Sequence, residues 1–333
     1  MSRPKLAIVV DTEEEFDWGK PFSRESRATT SIPAQARAHE VYDRFGVVPT
    51  YVVDHPVATD PVAAGFLNGL RRQGKAEIGA HLHPWVTPPH EEEVTAFNSY
   101  HCNLPPALER AKIETLTAAI AQSFGERPTI FKAGRYGFGR NTKRVLTDLG
   151  YEIDCSYVPH ISFAADGGPS YYGTPDQPFW LDEGAGLLEV PLTSGFLGRL
   201  AALGSAAAPV LASPAAKSLR IPGLLGCLGI QRSRLSPEGV PADEQCHLLA
   251  SMTRRGRRFF TLTYHSPSLA AGHTPYVQSE ADLEAFLVNI AEVLRYFRDE
   301  LGGEFTTLSR HRAELLAKRA PAPATLRSAA EGA

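Results

Sequence analysis

The sequence predicts an α/β protein built on a parallel β-sheet, and three observations support this prediction. Short apolar segments alternate with longer amphipathic segments along most of the chain, which is typical of strand–helix repeats. The first apolar segment, residues 6–10, has no polar interruption, as expected of a strand buried on both faces. An acidic run, Asp-Thr-Glu-Glu-Glu, follows it in place of a glycine-rich phosphate loop, which disfavours a dinucleotide-binding fold. A barrel and a doubly wound open sheet both fit.

Strands and helices are expected in regular alternation. Apolar clusters between turn signals predict strands at residues 6–10, 49–53, 77–81, 129–133, 151–155, 187–192, 258–264 and 305–308. Amphipathic periodicity predicts helices at residues 32–45, 61–72, 105–124, 141–149, 242–254 and 279–301. Gly46 stands at a C-cap position and Ser279 at an N-cap position, with Asp282 three residues further on. The long loops at 85–103 and 166–178 suit an extended or bulky ligand.

Composition excludes several classes of function. The chain has 333 residues, 43% hydrophobic and 21% charged, and its net charge of −3 gives no basic field that would recruit nucleic acid. The four cysteines are scattered without a Cys-x-x-Cys pair, so we expect neither a zinc knuckle nor a dithiol redox site. We therefore expect free thiols in a reducing compartment.

No targeting or spanning segment is predicted, and we expect a cytoplasmic protein. The apolar run at 6–10 is too short for a signal peptide, and Asp11 ends it. The stretch at 196–230 is rich in Ala, Gly and Leu but contains Arg199, Lys217, Arg220 and three prolines, which disfavours a membrane helix. A surface-lying insertion with peripheral membrane contact remains open. We expect one barrel domain over 1–318, an insertion at about 196–240, and a disordered tail at 319–333.

Reactive side chains follow one predicted strand after another. In α/β barrels the catalytic groups project from the carboxyl ends of the strands, so these residues are expected on one rim. Asp11 and Glu13, two residues apart, can face one way, as can His81 and His83. Neutral imidazoles and a carboxylate bind divalent metals, and a second carboxylate can act as a base. The remaining strand-end candidates are Arg135, Asp154 and His265.

Each candidate has a structural alternative. We interpret Glu14 and Glu15 as a solvated acidic turn, and Lys132 competes with Arg135 as the partner of a carboxylate base. Asp154 suits either a supporting contact or a cap, and His265 either a general acid or a structural histidine. The long loop offers His101 and Asn103 as substrate contacts, with a solvated loop as the alternative. Three aromatic residues near the rim fit either sugar stacking or packing: Trp85, Tyr100 and Tyr136.

The order of these motifs resembles the NodB-homology polysaccharide deacetylases. The order is an acidic end of the first strand, a histidine pair after Glu-Ile-Gly-Ala, the Gly-Arg-Tyr segment at 134–136, and a late strand ending in histidine. The branch it resembles most is named for the lipopolysaccharide biosynthesis protein WalW. The resemblance spans about residues 6–308, and within that range the insertion before residue 231 is poorly covered.

The resemblance implies a distorted (β/α)7-type barrel of the polysaccharide deacetylase kind. It implies a metal-dependent hydrolase that removes an N-acetyl, or less often an O-acetyl, group from a sugar. Asp11 matches the family base and Arg135 the arginine that steadies it, while His265 matches the general acid. The implied ligands of one divalent metal, expected to be zinc, are Glu13, His81 and His83. The family usually has His-x-x-x-His and Asp-Asp, where this chain has Trp85 and Asp-Thr-Glu.

The implied substrate is an N-acetylated sugar in cell-envelope polysaccharide or lipopolysaccharide biosynthesis. Because we expect a cytoplasmic enzyme, the sugar would belong to a nucleotide-linked or lipid-linked precursor. The expected substrate contacts are Trp85, Tyr136, His101 and Asn103, and the backbone N–H of Tyr136 could also bind the oxyanion. Two alternatives remain: an amidohydrolase acting on a small non-sugar amide, and a non-catalytic glycan-binding relative.

Overall fold

The computed structural model describes residues 3–184, 186–198, 201–204, 208 and 231–319. Most of the insertion expected at 196–240 and residues 320–333 of the expected disordered tail lie outside the described residues. Of the described residues in this insertion, those at 231–240 contribute to the candidate site.

One curled β-sheet forms the centre of the fold in the described residues. Its parallel strands are β1 (Lys5–Thr12), β2 (Thr50–Val53), β3 (Glu77–Leu82), β4 (Ile130–Ala133) and β5 (Ile153–Asp154), followed by β7 (Leu187–Glu189) and β10 (Phe259–His265). The order across the sheet is β10-β1-β2-β3-β4-β5-β7, and the antiparallel β6 (Phe179–Asp182) pairs with β7 at the edge. A short β11 (Glu304–Phe305) pairs with the start of β1, and β8 (Ser194–Leu197) and β9 (Gln231–Arg234) form a separate hairpin. The sequence did not predict β6 or this hairpin.

Helices pack between the strands, as the sequence predicts, but it did not predict the helices His55–Thr59 and Leu308–Arg319. The described helices are α1 (Gln35–Phe45), α2 (His55–Thr59), α3 (Pro61–Arg72), α4 (Pro106–Phe124), α5 (Arg140–Asp148), α6 (Ala242–Arg254), α7 (Glu280–Asp299) and α8 (Leu308–Arg319). Gly46 caps α1 at φ 67°, and Ser279 and Asp282 form a capping box on α7. No described helix is both long and apolar enough to cross a membrane.

Alternation along the strands separates two apolar cores. On β1, Ala7 and Val9 face the interior of the barrel, whereas Leu6 and Ile8 pack beneath the outer helices. Leu308 also packs in the interior core. The predicted strand at 305–308 is therefore wrong in its last residues, because Leu308 begins α8 and contributes to the interior packing.

The barrel is distorted where β7 and β10 face each other. Connecting segments bridge this side: Thr193 accepts a hydrogen bond from the Thr261 backbone through its hydroxyl at 2.8 Å. The carbonyl oxygen of Leu235 accepts another from the Thr263 amide at 3.2 Å. The chain just after β9 therefore lies beside β10 and reaches the same rim.

Candidate active site

A cavity of about 510 Å³ opens at the carboxyl ends of the strands. The strand register explains which side chains meet there, because Asp11 lies opposite His265 and His81 lies opposite Lys132 on neighbouring strands. Their side chains continue the interior-facing rows of β1, β10, β3 and β4. Six of the seven residues that the sequence predicts for this rim line the cavity: Asp11, Glu13, His81, His83, Arg135 and His265.

Glu13, His81 and His83 converge as the predicted ligand set. One potential ligand atom from each lies within 4.8 Å of the other two. Nε2 of each histidine is 3.4 Å from Oε2 of Glu13, and the two imidazole centroids are 4.6 Å apart. The His-x-His spacing thus places both rings on one side of the chain, as alternation along β3 requires.

The other nitrogen of each ring has a buried partner. Nδ1 of His81 lies 3.2 Å from the backbone carbonyl oxygen of Lys132, and Nδ1 of His83 lies 2.8 Å from Oε2 of Glu14. Both acceptors favour the tautomer with hydrogen on Nδ1 and a lone pair on Nε2. Metal-binding histidines are typically oriented by such outer contacts.

The donor set fits a divalent cation. Oε1 of Glu13 is buried without a hydrogen-bond partner among the described residues, so one of its lone pairs remains unsatisfied. Burial raises the pKa of Glu13 to about 7, although the nearby His265 and His83 charges oppose the rise. Burial lowers the pKa of both His81 and His83, which keeps the imidazoles neutral. One carboxylate and two neutral imidazoles suit zinc and other first-row divalent ions.

Glu14 is not the solvated residue that the sequence suggested. It is completely buried, and its carboxylate accepts a hydrogen bond from the indole N–H of Trp85 at 2.7 Å as well as contacting His83. Its backbone N–H donates to Asp54 at 2.6 Å, and Asp54 also caps α2. Burial raises the pKa of Glu14 to about 8. Glu15 is also bound rather than idle, because its carboxylate accepts from the Ser31 amide at 2.6 Å.

Lys132, not Arg135, pairs with Asp11. The ammonium of Lys132 lies 2.5 and 2.7 Å from the two carboxylate oxygens of Asp11, and the lysine is completely buried. Burial by itself lowers the pKa of Lys132, but the charge of Asp11 outweighs it and raises the pKa above its usual range. The expected role of Arg135 as partner of the base therefore belongs to Lys132, which the sequence had offered as the competitor.

Arg135 is directed away from Asp11 by an unusual turn. Arg135 and Tyr136 both adopt left-handed backbone conformations, with φ of 50° and 61°. Consecutive non-glycine residues in this region are rare and cost free energy. The Arg135 guanidinium donates to the Ser99 hydroxyl at 2.6 Å and stacks over Tyr100, while the Tyr136 ring lies 5.4 Å from the ammonium of Lys132.

Glycine is required at position 134 beside this turn. A β-carbon there would overlap both the imidazole of His83 and the carbonyl oxygen of Leu82. Only a residue without a side chain lets the backbone after β4 come this close to the His83 ring, which in turn lies against Glu13.

His265 is held by Glu238, a residue that the sequence analysis missed. Nδ1 of His265 donates to Oε2 of Glu238 at 2.8 Å, and the His265 backbone N–H donates to Oε1 at 2.9 Å. Nε2 is left facing the cavity, 3.8 Å from Oδ2 of Asp11. Although burial opposes it, the Glu238 charge raises the pKa of His265 to about 10. The residue is therefore protonated at neutral pH, as a proton donor must be.

The predicted substrate contacts divide into two groups. Trp85 and Tyr136 line the cavity. His101 and Asn103 are not among the described residues that line it, so their predicted place there is wrong. His101 is buried against Glu109 with Nδ1 at 3.0 Å, and the Asn103 side chain donates to the carbonyl oxygens of Phe97 and Gly167. Both residues stabilise the long loop instead.

Asp154 lies deeper in the barrel, away from the cavity lining. Its carboxylate accepts from the Ser156 hydroxyl at 2.7 Å, and Glu189 is its register partner on β7. Burial raises the pKa of both carboxyl groups. Asp154 is thus a structural residue that connects β5 to its neighbours, rather than a cap.

Aromatic rings form the mouth of the cavity. Trp18 meets His265 edge-on with centroids 5.0 Å apart, and Phe22 stacks on Trp85 at 4.2 Å. Tyr136 stacks on Phe163 at 5.4 Å on another side. Rings presented in this way suit the apolar faces of sugars as well as other flat or apolar ligands.

A scan against protein-family models and a search of curated proteins gave no match. Solved structures do match. A candidate polysaccharide deacetylase from Mycobacterium smegmatis is 16% identical with a TM-score of 0.54, and the match covers 95% of this chain and 91% of that one. The allantoinase PuuE is 15% identical with a TM-score of 0.55, covering 96% and 92%. A candidate polysaccharide deacetylase from Pseudomonas aeruginosa PAO1 is 14% identical with a TM-score of 0.52, covering 96% and 92%.

At these identities the likeness concerns the fold. The matches extend over nearly the whole chain and include two candidate polysaccharide deacetylases. In the described residues, the main path of the sheet has seven parallel strands and an open side between β7 and β10, which agrees with the distorted barrel that the sequence resemblance implies. The chain therefore has the distorted (β/α) barrel fold of the polysaccharide deacetylases.

Proposed function

We propose that this protein is a metal-dependent hydrolase that removes an N-acetyl or O-acetyl group from a sugar. The observation that carries the proposal is the arrangement of three groups around one cavity. The ligand set Glu13, His81 and His83 shares the cavity with a lysine-bound carboxylate, Asp11, and a protonated histidine, His265. A Lewis-acid site, a base and an acid are the three components that metal-assisted amide hydrolysis needs.

The chain supplies the proton-transfer groups. A divalent ion bound by Glu13, His81 and His83 would polarise the acyl carbonyl and lower the pKa of an attacking water molecule. Asp11, fixed by Lys132, accepts the proton from that water. His265 donates a proton from Nε2 to the leaving amine or alcohol, while Glu238 holds Nδ1. The backbone N–H of Tyr136 is the proposed donor to the carbonyl oxygen.

We place the reaction in cell-envelope polysaccharide or lipopolysaccharide biosynthesis, in the branch named for WalW. The support is the resemblance of the motifs and the barrel fold shared with candidate polysaccharide deacetylases. The proposed substrate is a nucleotide-linked or lipid-linked sugar precursor in the cytoplasm, and zinc is the proposed ion. The aromatic rings at the cavity mouth suit a sugar ring of this kind.

The allantoinase likeness supports a second candidate, an amidohydrolase that acts on a small non-sugar amide. The same base, acid and metal ligands would serve both reactions. The many aromatic residues of the 510 Å³ cavity favour the larger, sugar-like substrate. A non-catalytic glycan-binding relative is the third alternative, and it would bind saccharide without metal.

The test combines metal analysis of the purified protein with acetate release from a panel of N-acetylated sugars, O-acetylated sugars and small amides. We expect one equivalent of divalent metal and turnover of at least one acetylated sugar. His83→Ala should lose metal and activity, whereas His90→Ala, which changes an exposed histidine, should lose neither. Turnover confined to non-sugar amides would favour the amidohydrolase, and saccharide binding by a metal-free, inactive protein would favour the glycan-binding relative.

A further inference from the structure

Two arginines of β9 bring positive charge to the same cavity. Arg232 and Arg234 are two residues apart on a strand, so their side chains extend from one face, and both line the cavity. Ser233 between them is buried on the opposite face. The hydrogen bonds of the two guanidinium groups go to backbone carbonyl oxygens: Arg232 to His160 at 3.4 Å and Arg234 to Glu238 at 2.9 Å.

These two cations lack a carboxylate partner within the part of the chain that the structure describes. The other basic side chains of the cavity wall do have acidic neighbours. Lys20 pairs with Asp17 at 2.9 Å, Arg135 lies 3.7 Å from Asp166, and His265 is held by Glu238. The undescribed residues between 198 and 231 contain no Asp or Glu, so this segment adds no carboxylate. The cavity therefore carries excess positive charge beside β9.

The position of this charge relates it to the chemistry. Arg234 contacts the backbone of Glu238, the residue that holds His265, and its charge acts on the phenol of Tyr136. Both side chains are solvent-exposed, yet partial burial lowers the pKa of Arg232; Tyr172 opposes this change and the Arg234 charge adds to it, so the two cations repel each other. An anion bound here would lie on the side of the cavity where His265 protonates the leaving group.

We propose that Arg232 and Arg234 form a subsite for the phosphate group of an acylated sugar phosphoester, so the substrate of this site is anionic. This inference rests on the proposed function. A single guanidinium can form both hydrogen bonds that a carboxylate accepts side by side. A phosphate has three or four acceptor oxygens and up to two negative charges, so it can bind two arginines. Nucleotide-linked and lipid-linked sugars both carry such a phosphate.

The test is calorimetric binding at neutral pH with the protein as purified. The probes are N-acetylglucosamine 1-phosphate and the neutral methyl glycoside of N-acetylglucosamine. We expect the phosphate ester to bind at least ~10-fold more tightly than the glycoside, because a hydrogen bond to a charged group typically contributes this much. Arg232→Gln and Arg234→Gln should each weaken binding of the phosphate ester by about 10-fold and leave that of the glycoside unchanged. Arg72→Gln, at the end of α3 and outside the cavity lining, should change neither.

Two further probes distinguish the source of the phosphate. If UDP-N-acetylglucosamine binds more tightly than the 1-phosphate, the nucleotide-linked source is supported. If a farnesyl-diphosphate-linked N-acetylglucosamine binds more tightly than the 1-phosphate, the lipid-linked source is supported. Equal affinity of the parent protein for the phosphate ester and the glycoside, or full phosphate affinity in both glutamine variants, would overturn the proposal.

Binding and turnover separate this inference from the proposed function. Phosphate binding that depends on Arg232, with no acetate released from any sugar, would refute the hydrolase and leave the subsite in place. Turnover of neutral acetylated sugars without arginine-dependent phosphate binding would support the hydrolase and refute the phosphate subsite. Arg232→Gln is the cleaner variant, because Arg234 also contacts the backbone of Glu238.

Discussion

Replacing Lys132 with methionine removes the cation that faces Asp11 inside the barrel and leaves the occupied volume almost unchanged. The lysine is completely buried and Asp11 is 3% exposed, so solvent cannot replace the lost charge. Removing one partner of a buried ion pair typically costs about 3–5 kcal/mol, because the other charge is left uncompensated. We therefore expect Lys132→Met to lower the free energy of unfolding by about 3–5 kcal/mol.

The pH at which this cost is measured matters. The pKa of Lys132 is raised above its ordinary value of 10.5 in the folded protein. A raised lysine pKa contributes stability that is fully present below pH 10.5 and is lost as pH rises through the folded value. The measurement therefore belongs at pH 7, where the full contribution is present. The three tryptophans allow urea unfolding to be followed by fluorescence. With a slope of ~3 kcal/mol per M, the midpoint should fall by roughly 1–2 M.

A double-variant cycle separates the ion pair from other effects of burial. Asp11→Asn combined with Lys132→Met should cost less than the sum of the single changes, with a coupling of ~1–3 kcal/mol. Lys112, which is also completely buried and donates to three backbone carbonyls, provides the matched control. Asp11→Asn combined with Lys112→Met should be additive. A Lys132→Met cost below 1 kcal/mol, or additivity in both cycles, would refute the reasoning.

Three further predictions concern the site chemistry. Asp11→Asn should reduce kcat by about 10²- to 10⁴-fold while metal content stays unchanged, measured by acetate release and metal analysis; near-normal turnover would exclude Asp11 as the base. Because His265 acts in its protonated form and its pKa is raised to about 10, kcat should fall only as pH rises toward that value. His265→Ala should abolish this fall of kcat at alkaline pH. An unchanged fall in the variant would show that another group donates the proton. Glu14→Gln should weaken metal binding by about 10- to 100-fold in a chelator competition, and Glu15→Gln should not.

Strand periodicity made much of the site predictable. Every second side chain of a strand lies on the same face. If an apolar row faces the barrel interior, the next residue in that row faces the interior too. Asp11 continues the row of Ala7 and Val9, and the sequence shows this row directly. The same rule applies to His265 at the end of β10 and to the histidine pair at the end of β3, which is why these side chains meet Asp11 in one cavity.

Periodicity failed where the chain left the strands. Lys132 and Arg135 both follow from the apolar segment of β4, but only Lys132 lies within the strand and faces inward. Arg135 lies beyond the strand end, in a left-handed turn. The sequence does not predict this turn, because neither Arg135 nor Tyr136 is a glycine. Glu14 follows the end of β1, where alternation no longer fixes the direction of a side chain.

Glu238 shows a different reason for failure. It stands 27 residues before His265, after a hairpin that the sequence did not predict. Nothing in its local sequence distinguishes it from a surface glutamate in a proline-containing loop. Its contact depends on how residues 193–194 and 235 bridge the open side of the barrel, which is a tertiary feature. A histidine that is expected to act as an acid does imply a carboxylate partner, and that expectation could have prompted a search.

The unusual His-x-His spacing depends on Trp85, the residue that stands four positions after His81. The indole stacks on the His83 ring with centroids 4.3 Å apart and an interplanar angle of 25°. Its N–H also donates to Glu14, and Glu14 in turn holds Nδ1 of His83. Trp85 therefore positions His83 through two contacts: it stacks on the imidazole directly, and it orients the Glu14 carboxylate that binds Nδ1 of His83.

This arrangement means that the ligand cannot simply be moved to position 85. In a protein carrying both His83→Ala and Trp85→His, the ring on which the indole stacks is already gone, and the second change also removes the indole N–H that donates to Glu14. Trp85 is 2% exposed, so the smaller side chain would also leave a buried cavity that destabilises the site. We expect this double variant to bind metal no better than His83→Ala alone in a chelator competition. Recovery of metal binding and activity would show that position 85 can serve as a ligand site, and that the hydrogen bond from Trp85 to Glu14 is dispensable.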